Sequence, residues 1–255
     1  MSEVNQVMDV IMKRRSVRAF EAREVPAEVR AEILRATLRA PTAGNLMLYS
    51  ILEIADQTLK DRLALTCDNQ PFIARSPLVW VFLADYQRWY DVFRASGVEQ
   101  DCAQRQEPMQ KPEEGDLFMA CSDALIAAQT AVLAAESFGL GSCYIGDIME
   151  QYETHRELLC LPQYVFPICM LTFGYPAAPQ LKRAYTTRYS EQFILFRDHY
   201  HRLEGEEIEA LLTERNRHIK GSREPGLSTY QRKFNTDFSR EMRRSVRVML
   251  KNWSV

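Results

Sequence analysis

The sequence predicts an α+β sandwich, a central sheet with helices on both faces. Two uninterrupted apolar runs, residues 78–84 and 165–173, read as buried central strands. A third strand pattern covers residues 50–55, and helical patterns separate all three. The 255 residues suit one large domain or two small ones, and a hydrophobic content of 46% suffices for a true core. The order of the strands is not legible at this level.

Taking the chain in order, Val4, Val7, Met8, Val10 and Ile11 share one face of a first helix that ends at Lys13-Arg14-Arg15-Ser16-Val17-Arg18. Pro26 opens a second helix running to about Ala40, with Val29, Ile33, Leu34, Thr37 and Leu38 inward. Pro41 stops it, and Thr42-Ala43-Gly44-Asn45 reads as a turn. A short helix follows at 58–66, then a loop at 67–71. Residues 86–115 are polar, aromatic and irregular, which suggests an excursion or lid containing a helix near Trp89 to Ala95. Residues 116–138 form a long helix that is apolar on nearly every face, the mark of a domain centre or an interface. Gly139 and Gly141 end it. From Tyr189 onward the chain reads as helical and polar, broken at residues 221–226.

Net charge is −2, which argues against a general nucleic-acid binder, yet residues 215–251 hold eleven Lys/Arg against three Asp/Glu. The start has early acids and no apolar run, so no signal peptide is expected. The strongest apolar stretch, 78–84, is too short to span a bilayer. Six cysteines without a Cys-x-x-Cys pair read as reduced thiols in the cytoplasm. Four histidines lack metal-ligand spacing, so no metal is expected.

The cluster at residues 13–18 concentrates guanidinium forks and a hydroxyl, a donor set that suits phosphate oxygens. By itself it reads equally as a solvated basic surface or a nucleic-acid contact. Its company narrows the choice: Ala40-Pro41-Thr42-Ala43-Gly44-Asn45, then Gly139-Leu140-Gly141-Ser142-Cys143-Tyr144-Ile145-Gly146, then Leu181-Lys182-Arg183. In this order and spacing the chain resembles the FMN-dependent nitroreductase and flavin reductase family. The likeness is strongest to its larger, oxygen-insensitive NADPH branch with a C-terminal extension, and it covers roughly residues 4–183.

The resemblance implies a nitroreductase-like sandwich with a mostly antiparallel central sheet. It implies an FMN-binding domain over 1–188, with the excursion at 86–115, and a basic helical extension over 189–255 that packs on the same domain or on a dimer partner. It places Arg14, Arg15, Ser16, Arg18, Lys182 and Arg183 at the FMN phosphate. Pro41, Thr42, Ala43 and Asn45 fall near the ribityl chain and ring, often of the partner subunit's cofactor. Gln70 falls at the polar edge of the ring. Tyr144, Ile145, Gly146 and Asp147 fall at the flavin N5 edge, with Tyr144 covering the ring edge and Ile145 packing on its face. Two positions depart from the pattern: Phe72 stands where Lys is frequent, and Asp147 where a small residue is frequent. Either another cation substitutes for the Lys or the redox potential is lower.

The implied activity is ping-pong hydride transfer from NADPH or NADH through flavin N5 to a small-molecule acceptor such as a nitroaromatic, a quinone or a flavin. It needs no catalytic side chain of its own. The implied assembly is a cytoplasmic homodimer with FMN at the subunit interface, without nucleic acid or membrane. Two alternatives stand beside it: a substrate-specific flavoenzyme that dehalogenates, oxidises or fragments one molecule, and a non-catalytic flavin-binding protein. The basic tail has three readings. It is an extension wrapping a partner subunit, a loop engaging the 2′-phosphate of NADPH through Arg215, Arg217, Lys220 and Arg223, or a nucleic-acid contact.

Overall fold

The computed structural model describes residues 5–216 and 225–254. The chain forms two compact units, residues 1–183 with 241–255, and residues 184–240. These bounds stand beside the expected 1–188 and 189–255. The chain leaves the first unit near residue 183 and re-enters it at 241.

Within the first unit the elements are α1 (Gln6–Lys13), α2 (Ala27–Thr37), β1 (Tyr49–Glu53), α3 (Gln57–Thr66), α4 (Pro71–Ala74), β2 (Leu78–Asp85), α5 (Gln87–Ala95), α6 (Val98–Gln104), α7 (Glu114–Ser137), β3 (Gly141–Ile145), α8 (Tyr152–Leu158), β4 (Val165–Gly174) and α9 (Ala178–Leu181). The strands form one antiparallel sheet in the order β1-β2-β4-β3. The three strand patterns read from the sequence do not include β3. The strand is only five residues long and opens Gly141-Ser142-Cys143, which carries little strand signal. The β2–β4 register skips Ile168, beside Pro167, so the residue that cannot donate to the ladder sits at a bulge.

All eight residues of β2 are buried because the sheet is covered on both faces. Leu78, Trp80 and Phe82 face one core with Leu171 and Phe173. Val79, Val81 and Leu83 face the other, with Leu63, Ile73, Ile145 and Met170. Trp80 meets Phe173 edge to face at 5.5 Å.

Helix α7 covers the first face. Its inner side is Ala120, Ala124, Ala127, Ala128, Ala131 and Ala135, all fully buried. Small residues let the helix lie close to the bulky aromatics of the sheet. Leu117 and Val132 join the alanines in the interior, whereas Phe118, Met119, Leu125 and Ile126 are exposed. The helix is long and apolar enough to cross a membrane, which the run at 78–84 is not, but nine of its residues are packed inside the fold. A reciprocal cap between Glu113 and Asp116 starts it.

Two inward assignments are corrected. Leu34 and Leu38 of α2 are exposed, as are Val7, Met8, Ile11 and Met12 of α1. The excursion is also more regular than expected, holding α5 and α6 rather than a single helix.

In the second unit, residues 184–205 are mostly irregular, with one turn at Glu191–Phe193, so the helical reading from Tyr189 onward is corrected there too. Helices α10 (Glu206–Asn216) and α11 (Pro225–Thr229) follow. Helix α12 (Asp237–Trp253) ends within the first unit, where Trp253 donates to the Glu113 carbonyl at 3.0 Å and Met249 joins Tyr164 and Phe166 in the core.

The chain from Ser16 to Phe20 lies along the open edge of β3, through a bridge between Ser16 and Ser142 and a 2.8 Å bond from the Val17 amide to the Ser142 carbonyl. Gly141 permits this approach rather than ending α7, because a Cβ there would fall 2.4 Å from Val17 Cγ2. Gly141→Ala is expected to lower stability by about 1–3 kcal/mol through overpacking. The added variant Val17→Ala in the same chain should restore part of it, read as thermal midpoints. Equal midpoints for wild type and Gly141→Ala would refute the tight approach.

Candidate functional site

The edge contact carries the N-terminal arginines to β3. Arg14 and Arg15 are half-buried and Ser16 and Arg18 are exposed on this segment. Arg15 donates to the carbonyls of Leu181 and Arg183, both at 2.8 Å, and to that of Gln180 at 3.4 Å. The Arg18 amide donates to Gln180 Oε1 at 3.3 Å, and Arg183 donates to the same oxygen. The early and late basic clusters, more than 160 positions apart, thus form one surface. Arg15 acts as its fastener, because its guanidinium is engaged with backbone carbonyls.

Glu136, near the end of α7, lies under this surface. Burial pushes its carboxyl up to about 7, while Arg14, Arg15 and Ser142 pull it down. Cys143 is buried beside Arg18, and burial raises its thiol above the ordinary value. A buried thiol of raised pKa is a poor nucleophile.

Beyond β3, the turn at Gly146–Met149 leaves Gly146 exposed, and a Cβ there would meet nothing nearer than Met149 Cε at 3.9 Å. Ile145, expected against a ring face, instead packs inward and is 1% exposed, because strand alternation turns it into the second core. Tyr144 points to the opposite core, and its hydroxyl donates to Gln129 Oε1 at 3.3 Å. Phe72 is a buried core residue.

His155 braces the turn. It is fully buried, with ring nitrogens 2.9 Å from the Ile148 carbonyl and 2.7 Å from the Thr66 hydroxyl, and burial lowers its pKa. Gln151 donates to the Thr66 carbonyl at 3.0 Å, holding the turn against the end of α3. Gln70 follows that end, and its side chain donates to the Cys67 carbonyl at 3.0 Å. The surroundings are acidic. Burial, then Asp147, Asp68 and Glu241, push the Glu150 carboxyl up to about 8. The strand therefore runs from a cationic end to an acidic end.

The remaining residues, Pro41, Thr42, Ala43 and Asn45, form a separate group. Asp123 of α7 organises them, although it is 3% exposed and sits in an otherwise apolar run. It accepts from the Thr42 hydroxyl, from the Ala43 amide at 2.9 Å and from the Leu48 amide at 3.1 Å. Thr42 in turn accepts from the Met47 amide at 2.9 Å. Gly44, Asn45 and Met47 all take left-handed backbone angles, with φ of 54°, 59° and 51°. For non-glycine residues such angles cost on the order of 1 kcal/mol or more each and persist only where neighbours enforce them. A groove of about 400 Å³ lies between this loop and Phe118, Met119, Ser122 and Ile126.

Asp123 and Glu136 are thirteen residues apart on one helix, about 20 Å at 1.5 Å rise per residue. One chain therefore presents the predicted residues as two clusters. Asp123, Glu136 and His155 escaped the sequence reading. The signal for the first two was available, a lone acid inside an apolar helical pattern. Of the expected nicotinamide contacts, Arg217, Lys220 and Arg223 lie outside the described residues, and Arg215 falls within α10. Among the described residues no group of three or more His, Cys, Asp or Glu is placed to hold a metal ion.

The α+β sheet and the paired basic segments at its β3 edge define a protein equipped to bind a small anion-bearing ligand. The nitroreductase family profile matches residues 11–175. An FMN reductase (NADPH) of Bacillus subtilis (strain 168) is 31% identical over 175 residues, covering 68% of this chain and 67% of that one. A Cr(VI) reductase of Pseudomonas sp. (strain G-1) is 30% identical, covering 67% of each. Among solved structures, NfrA2 of B. megaterium superposes with a TM-score of 0.79 at 25% identity, over 98% of both chains. Nitroreductase A of Vibrio parahaemolyticus RIMD 2210633 gives 0.81 at 23%, again over 98% of both, a likeness of fold. The chain belongs to the nitroreductase family, a family of enzymes.

The Glu136 position yields a signed pH dependence. Its carboxyl titrates near 4.5 when unfolded and near 7 when folded. Between these values the folded protein holds more protons, so this group's contribution to stability falls as pH rises and levels off above 7. Glu136→Gln removes the titration. Urea midpoints compared from pH 5 to 8 should show the variant gaining on wild type up to about pH 7. Parallel profiles would mean that Glu136 ionises equally easily in both states.

Proposed function

We propose that this protein is a cytoplasmic FMN-dependent NAD(P)H oxidoreductase that works as a homodimer and passes hydride to small acceptors such as nitroaromatics, quinones or flavins. The observation that carries the reading is the joining of Arg14, Ser16 and Arg18 to Lys182 and Arg183 through Arg15, beside an exposed Gly146. The donor chemistry fits FMN: a phosphomonoester of about two negative charges matches several guanidinium groups and a hydroxyl. The glycine leaves backbone amides open to a planar ring. When bound, FMN would supply hydride acceptance and donation at its N5.

The chain's own residues then have binding and orienting roles. Arg14, Ser16, Arg18, Lys182 and Arg183 hold phosphate, and Arg15 keeps the two basic segments together. Backbone at 145–147 faces the ring edge, and Gln70 lies beside it. A buried Phe72 and an acid at Asp147 both disfavour added negative charge on a reduced ring, which supports the lower redox potential of the two expectations.

The dimer reading rests on two observations. Exposed apolar residues gather on α1, α2 and α7, with Val7 63% and Phe118 69% exposed. The Thr42 loop also lies about 20 Å along α7 from Glu136, so a partner's loop completes the site. The unit at 184–240 is assigned to the extension that embraces the partner, with 2′-phosphate recognition left to its basic residues. A second reading, an enzyme selective for one acceptor, is supported by the excursion, where Tyr86, Tyr90 and Phe93 wall a cleft of about 570 Å³.

The first test is the visible spectrum of FMN-loaded protein under anaerobic NADPH and then NADH. Bleaching by one donor and recovery with quinone or nitroarene is expected. Recovery with many acceptors favours the general enzyme, and recovery with one favours the selective reading. Bands persisting with both donors would overturn catalysis. Arg18→Ala should weaken FMN binding about 10-fold to 100-fold, the scale of one or two charged hydrogen bonds. Arg15→Ala should do the same by freeing residues 180–183. Retention of stoichiometric FMN by both variants after dialysis would overturn the phosphate assignment. Separately, Ile126→Glu should convert dimer to monomer in sedimentation and lose FMN with it. A monomeric wild type would refute the shared site.

A further inference from the structure

We propose that Asp123 is the positioning residue of the flavin-facing loop: its buried carboxylate locks residues 42–48 into their left-handed geometry and so sets how that loop meets a ligand. The role rests on the flavin reading of Thr42 to Asn45. The geometry is specific. One carboxylate gathers three donors from one short segment, the Thr42 hydroxyl and the amides of Ala43 and Leu48. Thr42 passes the restraint on by accepting from the Met47 amide. Between these fixed points lie the three positive-φ residues Gly44, Asn45 and Met47.

Methionine has no intrinsic reason to adopt such an angle, so the conformation must be imposed from outside. Asp123 is placed to impose it on the loop's amides, while Trp89 and Arg88 bond the carbonyls of Leu46 and Met47 from the other side. A carboxylate accepts on both oxygens, whereas Asn has one oxygen and an NH₂. Asp123→Asn would turn a donor toward the loop's own donors and break at least one bond while keeping the volume. The outer face of α7 at Phe118, Ser122 and Ile126 borders the groove beside the same loop, so the restraint lies at the surface assigned to the partner. The loop touches ligand; Asp123 acts through it.

The test compares wild type, Asp123→Asn, Thr42→Ser and Thr42→Val. FMN affinity is read by flavin fluorescence quenching, acceptor kinetics by kcat and KM, and loop order by amide exchange at Ala43 and Leu48 in the apoprotein. Asp123→Asn and Thr42→Val should each weaken FMN at least 10-fold, raise acceptor KM more than they lower kcat, and accelerate exchange at both amides. Thr42→Ser, which keeps the hydroxyl, should leave amide exchange at Ala43 and Leu48 near wild type. If Asp123→Asn does not fold, Thr42→Val carries the test. Wild-type FMN affinity, KM and exchange in both Asp123→Asn and Thr42→Val would overturn the inference and leave the flavin reading standing. A wild type that takes up no FMN would overturn the flavin reading instead. Amide exchange in the apoproteins would still decide whether Asp123 holds the loop.

Discussion

The close packing of α7 against the sheet is the constraint on which the rest depends. Its inner face is mostly alanine, with Val132 and Leu117, where it meets the aromatic side chains of β2 and β4, so the helix lies near the sheet. That placement fixes two acids that the helix would not otherwise bury. Asp123 meets the loop before β1, and Glu136 meets the arginines that follow α1. One rigid helix thus sets the positions of both clusters of the candidate site, and the distance between them.

Around Glu136 the chain balances charge closely. The arginines lie over a carboxyl that burial holds partly protonated near neutral pH, so the cationic surface is not fully cancelled from below. Arg15 is turned aside to backbone carbonyls, which preserves the geometry of the surface rather than adding to its outward charge. At the other end of β3 the groups reverse sign, with Asp147, Asp68 and Glu150 close together. A ligand with an anionic tail and a neutral head has a single favoured direction along this strand.

The turn after β3 is held by the buried His155 and by Gln151, itself half-buried with a left-handed φ of 44°. The loop after α2, with its left-handed backbone angles, is held from two sides, by Asp123 of α7 and by Trp89 and Arg88 of α5, which donate to the Leu46 and Met47 carbonyls at 2.7 Å and 3.3 Å. Strain of this kind collects where a chain must present backbone groups to a ligand. The exposed apolar residues of α7 lie next to it, which links assembly to loop geometry.

By itself the sequence determined the sandwich class, the two central strands, the long apolar helix and the order of the motifs, because apolar periodicity and turn residues are local properties. It also placed both basic segments correctly along the chain. Only the tertiary structure decided that they meet, since the contact depends on Val17 pairing with Ser142 and on Arg15 reaching carbonyls more than 160 residues away. It decided too that Ile145 faces the core, because β3 is short and its alternation emerges only on pairing with β4. Leu34 and Leu38 were misread as inward for the same reason, and the apolar face of α1 is exposed too: periodicity marks an apolar face but does not say what covers it. Asp123 and Glu136 were visible as acids in an apolar helix, yet Thr42, Ala43, Leu48, Arg14 and Arg15 are 75 or more positions distant and only folding names them as partners.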